Sequence, residues 1–313
     1  MAAAEHDRRG TGVVFTPSPL LTVTIEGRPD GDTEIHVHGG GQGVWIARMM
    51  SSLGCETRLT GPFGGESGEV LIPLIEREGI IPRPLRTNHT NGSYVHDRRE
   101  GEREVVATHN AYAISRHDHD ELYDLTLVEG LNAGVVVLGG PDGENLIEPE
   151  TYRRLASDLT SHEVPVVVDL SGDYLEAAVS GGVHVVKVSH EELLDDGRAS
   201  SEDPKDLIKA AEKLREAGAA NVIVSRAGDP AIALIGDRVV EVETPSFERA
   251  DHRGAGDSMT AGLAVGTSAG MALEDALVLG AAAGTLNTTR HGLATGEREL
   301  IEKLRERVVL RNL

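Results

Sequence analysis

The chain has 313 residues, with 30 Lys and Arg against 51 Asp and Glu and a formal charge of −21. That length gives room for one large domain or two ordinary ones and for a sizeable core, while the acidic surplus excludes a nucleic-acid partner and argues against docking on anionic membranes. Cys55 is the only cysteine, so an intrachain disulfide and a cysteine-based zinc site are both excluded.

The opening residues, MAAAEHDRRG, lack the apolar core of a signal peptide, and no apolar run approaches the roughly 20 residues of a membrane span. A cytoplasmic protein is the expectation. Along the N-terminal third, Leu21–Ile25 and Glu34–His38 alternate polar and apolar residues around Gly-Arg-Pro-Asp-Gly, and Gly92–Asp97 and Arg103–Ala107 do the same around Arg-Arg-Glu-Gly-Glu. Such alternation marks strands with one wet face. With helices expected over Gln42–Leu53 and Glu66–Glu78, the two hairpins form a small discontinuous sheet, a lid over about 20–38 and 90–108 able to close on a site and exclude water. The histidine-rich run Arg116–Asp120 reads as a polar helix start, since no third ligand at helical spacing accompanies it.

From about Ala133 the pattern changes. Continuous Val/Ile runs at Gly134–Leu138, Val164–Asp169, Val183–Val188 and Asn221–Ser225 alternate with helical periodicity at Glu150–Ser161, Tyr174–Ser180 and Pro204–Ala217. Strands buried on both faces read this way, and the intervening helices make right-handed crossovers, so an α/β fold with a mainly parallel central sheet is expected. Ligands in such folds lie beyond the carboxyl ends of the strands. The C-terminal segments Gly254–Gly270, Leu273–Thr289 and Gly296–Val308 read as helices.

One of those helices opens on Gly254-Ala255-Gly256-Asp257-Ser258. Unpaired N–H groups and the positive dipole end attract anions, the glycines let a phosphate approach the backbone, and the carboxylate can act as a base. The same residues also suit an ordinary turn with an acidic first-turn residue. Neither this segment nor Gly39–Gly43 fits the phosphate-loop or dinucleotide fingerprints.

The order of motifs resembles the pfkB carbohydrate kinases of the ribokinase-like superfamily, and within them the branch phosphorylating fructose and tagatose phosphates. The resemblance rests on Gly39-Gly40-Gly41-Gln42-Gly43-Val44-Trp45-Ile46-Ala47-Arg48, on Leu53-Gly54 with Thr60–Gly65, on Val164–Gly172, on Lys187–Leu193 and on Asp251–Ser258. It implies a three-layer α/β/α kinase domain over 1–313 that moves the γ-phosphoryl group of ATP, with Mg²⁺, to a hydroxyl of a sugar or sugar phosphate. Asp257 would be the general base, and the N–H groups of Gly254, Ala255 and Gly256 the anion hole. Thr22, Gly40, Gly41, Gln42 and Trp45 would face the acceptor. Lys187, Ser225, Gly228, Gly256 and Asn287 would serve the nucleotide, and Glu192 would hold Mg²⁺ through water. Lids of this kind pair between subunits, so a homodimer is expected.

The acceptor side departs from the family. Thr22 stands where a sugar-binding aspartate is usual, Trp45 where asparagine is usual, and Gln42 where lysine or glycine is common. Near Thr90–Ser93, where sugar-phosphate members carry a phosphate-binding arginine, no arginine falls in register. Ser189 replaces an asparagine of the metal-organising block, and His252 and Arg253 replace a threonine and an apolar residue. The acceptor is therefore open between a free sugar and a sugar phosphate. A nucleoside kinase using Trp45 as a stacking face and an inert sugar- or nucleotide-binding regulator are the alternatives.

Overall fold

The computed structural model describes residues 8–28, 30–101, 103–143, 146–245, 247, 253–289 and 294–313, so His252 lies outside the described residues. In chain order the first elements are β1 (Thr11–Phe15), β2 (Leu20–Gly27), β3 (Thr33–Gly40), α1 (Gln42–Ser52), β4 (Glu56–Gly64), α2 (Gly65–Glu76), β5 (Ile81–Thr87), β6 (Ser93–Asp97), β7 (Glu104–His109) and α3 (Arg116–Leu131). The alternating segment follows as β8 (Val135–Gly139), α4 (Pro149–Ser161), β9 (Val166–Asp169), α5 (Gly172–Ser180), β10 (Val183–Ser189), α6 (His190–Asp195), α7 (Pro204–Ala217) and β11 (Ala219–Arg226). The chain closes with β12 (Asp229–Ile235), β13 (Arg238–Glu243), α8 (Ala255–Ser268), α9 (Leu273–Thr288), α10 (Arg298–Arg305) and β14 (Val309–Asn312).

Ten strands form the main sheet in the order β14-β13-β12-β11-β10-β9-β8-β1-β4-β5. Pairing is parallel from β11 through β5 and antiparallel from β11 to β14. Alternate residues of each strand feed opposite sides. Val14, Val135, Val137, Val167 and Ile223 belong to a core with α1, α8 and α9, and Val13, Phe15, Val136, Leu138 and Val168 to a second core with α4, α5 and α7. Burial on both faces is why these strands are Val/Ile runs, and it gives the three-layer α/β/α architecture expected. Among the described residues no helix is long and apolar enough to cross a membrane.

The expected helices and parallel strands form with shifted ends, but the antiparallel extension is new. The β12–β13 hairpin turns at Gly236-Asp237, with Gly236 at a φ of 55°. The chain end is not wholly helical: α10 stops at Arg305, and β14 adds to β13 as the edge strand.

A second sheet has the order β3-β2-β6-β7, with β2 antiparallel to β3, β6 antiparallel to β7, and β2 parallel to β6. Its two faces differ. Thr22 pairs with His38 and Tyr94, and Thr24 with His36 and His96, giving one polar face. Val23 and Val37, with Ile25 and Ile35, occupy the other.

Candidate active site

A cleft of about 440 Å³ opens at the carboxyl ends of β8, β9 and β10 and is lined by Gln42, Trp45, Asp142, Asp169, Glu192 and Asp257, among others. This is where open α/β sheets place ligands. Its centre is the first turn of α8. Gly254 caps that helix with a φ of 74°, a left-handed conformation that glycine adopts without steric cost. Among the described residues no side chain caps the helix, so its leading N–H groups depend on other partners.

Behind the turn lies a charged network. Lys187 Nζ sits 3.2 Å from Asp169 Oδ1, with both side chains buried, and the Thr260 hydroxyl donates to Asp169 Oδ2 at 2.6 Å. A Cβ at Gly256 would stand 2.6 Å from Lys187 Nζ, so the ammonium lies directly over the start of α8. Burial alone would depress the Lys187 pKa, but Asp169, Glu192 and Asp257 together hold it above the ordinary lysine value and keep it charged. For Asp257 burial is the largest influence, followed by the nearby Asp169 carboxylate. With contributions from Glu192 and Asp142, and against the opposing pull of Lys187, they push its pKa up to about 7.

Glu192 closes a capping box at α6: its Oε2 accepts from the Ser189 N–H at 2.7 Å and from the Ser189 hydroxyl at 2.8 Å. Ser189 thus orients the carboxylate that the sequence singled out. Gln42 Oε1 accepts from the Gly140 N–H at 2.6 Å, fixing the side chain at the cleft wall. The indole Nε1 of Trp45 is buried without a partner among the described residues. The Asp142 N–H donates to Ser18 Oγ at 2.6 Å, and its carboxylate lies within electrostatic reach of the Tyr94 hydroxyl of the small sheet.

Of the residues expected at the site, Gln42, Trp45, Glu192 and Asp257 share this cleft, and Lys187 lies within electrostatic reach of the last two. Thr22, Gly40 and Gly41 stand together beside it, where a Cβ at Gly40 would meet Thr22 Oγ1 at 2.4 Å. Ser225, the last but one residue of β11, pairs with Ser189, and Gly228 lies in the exposed turn that follows; neither is among the residues lining the cleft. Asn287 is fully buried on α9, and its amide donates to the Arg253 carbonyl at 2.6 Å, just before the Gly254 turn. Arg253 itself is exposed.

Sequence reading assigned no role to Asp142, Asp169, Thr260 or Tyr94. Asp169 closes a Val run at a strand's carboxyl end, which was the available signal. Pro141-Asp142-Gly143 reads as any surface turn.

An open, mostly parallel sheet carrying an acid-bearing helix N-terminus in a cleft at its strand ends is a small-molecule α/β enzyme scaffold. The chain belongs to the pfkB family of carbohydrate kinases, whose family model matches residues 21–300. It is 27% identical over 293 residues to the 1-phosphofructokinase of Bacillus subtilis, covering 91% of this chain and 94% of that one. It is 28% identical over 289 residues to the ATP-dependent 6-phosphofructokinase isozyme 2 of Escherichia coli, covering 89% and 92%. The crystal structure of phosphofructokinase-2 from Escherichia coli in complex with potassium superposes with a TM-score of 0.82 at 24% identity, over 94% of this chain and 97% of that one.

Proposed function

We propose that the protein transfers the γ-phosphoryl group of ATP to a hydroxyl of a sugar or sugar phosphate, as its phosphofructokinase relatives are named for doing, with Asp257 as general base. The observation that carries this is the Asp257 carboxyl, held on the first turn of α8 inside the cleft and poised near neutrality. Asp257 takes the proton of the acceptor hydroxyl. The freed oxygen bonds to the γ-phosphorus as its bond to the β-phosphate oxygen breaks, and ADP departs. The N–H groups of Gly254, Ala255 and Gly256 meet the charge on the transferring group, and Lys187 steadies the donor phosphates as a point charge.

Among the described residues no cluster of three His, Cys, Asp or Glu could hold a metal by itself. That suits Mg²⁺, which keeps several waters and leans on substrate phosphates. Glu192, with Oε2 bound to Ser189, would offer its carboxylate through water, and bound Mg²⁺ supplies neutralisation of phosphate charge. The nucleotide would extend toward Ser225, Gly228 and the end of α9 bearing Asn287. Thr22, Gly40, Gly41, Gln42 and Trp45 would face the acceptor, and the small sheet would act as a lid.

The test is ADP release over free sugars, sugar phosphates, polyols and nucleosides, with Asp257→Asn alongside. A loss on the order of 10²-fold or more is expected for removal of a general base. Undiminished turnover by the variant would sink the assignment. Trp45 in the cleft wall favours a nucleoside as the second reading, and turnover of adenosine or inosine above every sugar would establish it.

A further inference from the structure

The two central strands of the small sheet, β2 and β6, run parallel and leave the body of the molecule at one place. β2 begins at Leu20, straight after Pro19, and β6 begins at Ser93, straight after Asn91-Gly92. Asn91 joins these two roots. Its Nδ2 donates to the Pro19 carbonyl at 3.0 Å, and the neighbouring Gly92 carbonyl accepts the Leu21 N–H at 2.9 Å.

The same side chain fastens both roots to the main sheet. Nδ2 also donates to the Pro62 carbonyl at 2.9 Å, and Oδ1 accepts the Gly64 N–H at 2.9 Å, both at the carboxyl end of β4. The Asn91 N–H donates to the Gly64 carbonyl at 3.3 Å, and the Asn91 carbonyl accepts from the Ser67 hydroxyl on α2 at 2.9 Å. Both amide protons, the amide oxygen and both main-chain groups are thereby engaged, in a residue only 7% exposed. Packing leaves little slack: a Cβ on Gly68 would lie 2.7 Å from Asn91 Oδ1, and one on Gly92 2.6 Å from Leu20 Cδ2. The return from β7 to α3 is held differently. It runs through 110–115, mostly exposed, where the Tyr112 ring lies 5.6 and 5.7 Å from the rings of His109 and His89.

The roots also reach the cleft. Ser18, next to Pro19, accepts the Asp142 N–H on Oγ at 2.6 Å, and a Cβ on Gly41 would lie 2.9 Å from the Ser18 carbonyl. Asp142 and Gln42, the residue after Gly41, line the cleft. On the sheet itself Thr22 and Tyr94 pair with each other three residues beyond Pro19 and Asn91, and Tyr94 is within electrostatic reach of Asp142. At about 3.3 Å per residue of strand, a shift at the roots passes to this row within about 10 Å.

We propose that Asn91 is the positioning residue of the lid: it pins the roots of β2 and β6 to the end of β4 and, through Pro19 and Ser18, sets the lip of the cleft at Asp142. This rests on the kinase reading given above and adds to it a residue outside the cleft lining. A lid held at one place covers the acceptor and keeps water from the transferring group. With the roots loosened, water takes the place of the acceptor hydroxyl at the γ-phosphorus, and ATP is lost as ADP, inorganic phosphate and a proton.

The experiment compares the unaltered protein with Asn91→Ala, with the milder Ser67→Ala, which removes only the bond to the Asn91 carbonyl, and with the control Asn88→Ala, exposed in the same connection. Its readings are amide hydrogen exchange by mass spectrometry, the KM for ATP and for fructose, fructose 1-phosphate and fructose 6-phosphate, and the inorganic phosphate released per sugar phosphorylated. Asn91→Ala should speed exchange in β2 and β6 about 10-fold, the equivalent of one hydrogen bond, with β8, β9 and β10 unchanged. It should raise the KM of whichever sugar is turned over by a similar factor, raise the share of ATP lost to water and leave the KM for ATP as it was. Ser67→Ala should move the same readings the same way by less, and Asn88→Ala should match the unaltered protein. A residue that merely stabilises the fold would speed exchange in both sheets alike. That outcome, or an unchanged sugar KM and phosphate release in folded Asn91→Ala, would overturn the proposal. Should Asn91→Ala fail to fold, Ser67→Ala decides by the same readings. If the unaltered protein phosphorylates no sugar, the kinase reading falls and exchange decides alone: acceleration confined to β2 and β6 supports the pin, and uniform acceleration or none overturns it.

Discussion

Asp257 carries two opposing demands, since a general base works best with a pKa near the operating pH, and a carboxyl reaches such a value only by being buried beside other carboxylates. A value of about 7, set chiefly by burial and then by Asp169, leaves the proposed base half ionised at neutrality. The kcat/KM of the protein is therefore expected to rise with pH through a midpoint near 7, since only the deprotonated form accepts the hydroxyl proton. A profile flat between pH 6 and 8 would contradict it. Stability should run the other way. The folded pKa lies above the unfolded one, so folding binds protons, and stability falls as pH rises from about 4 to about 7 and stays low above. Asp257→Asn removes that cost, on the order of a few kcal/mol, and is expected to raise the melting temperature at pH 8 but little at pH 4. Calorimetry at the two pH values checks both parts. The sequence pointed to Asp257 through its own glycine turn at a helix start, and to Glu192 and Lys187 through the resemblance of Lys187–Leu193 to a family block. Asp142 and Tyr94 were not legible. Their interaction links a Pro-Asp-Gly turn to a lid strand, and no local pattern encodes a contact between distant segments.

Helices α8 and α9 are where an element, rather than a residue, sets the geometry of the proposed anion hole. A Cβ on Gly262 would lie 2.5 Å from the Gly280 Cα, and one on Gly284 would lie 2.9 Å from the Ala255 carbonyl, so the two backbones touch along their length. Asn287 completes the junction through its 2.6 Å bond to the Arg253 carbonyl, which fixes the approach to Gly254. Asn287→Ala is expected to destabilise the protein by about 1–3 kcal/mol, the usual cost of stranding a buried hydrogen-bonding group. If the Gly254 turn is the anion hole proposed above, Asn287 braces it and should affect kcat more than the KM for ATP. A variant with raised KM for ATP and unaltered kcat would identify it as an adenine contact instead. At this scale the parallel strands were legible because burial on both faces demands Val/Ile runs. The β12–β13 hairpin had its own signal in the Gly-Asp turn between two apolar runs. By contrast β14 is four residues at a sheet edge, largely exposed, and exists as a strand only through its pairing with β13.

For the whole molecule, the outer face and edges of the lid set the question of assembly. Ile35, 66% exposed, and Val37, 44%, lie on the outer face, while Val105 and Val106, each 58% exposed, lie at the bulge of edge strand β7, with Val105 opposite His96 of the polar face. Apolar side chains beside open strand edges are a liability unless covered. The self-complementary solution is a second copy of the same sheet in a two-fold pair, and we expect a homodimer through this face. Its energetics combine two terms of opposite sign. Burying the Ile and Val side chains favours association at about 25 cal/mol per Å², whereas two chains of formal charge −21 repel each other. Salt screens the repulsion, with a Debye length of about 10 Å at 0.1 M falling to about 3 Å at 1 M, and leaves the apolar term in place. The dimer should accordingly tighten from 0.05 to 1 M KCl, and Val37→Glu, which sets a charge on the apolar face, should shift it to monomer without loss of secondary structure. Sedimentation velocity at micromolar concentration and at both salt levels measures this directly. A monomer throughout, or a dimer indifferent to Val37→Glu, would remove the lid from the interface.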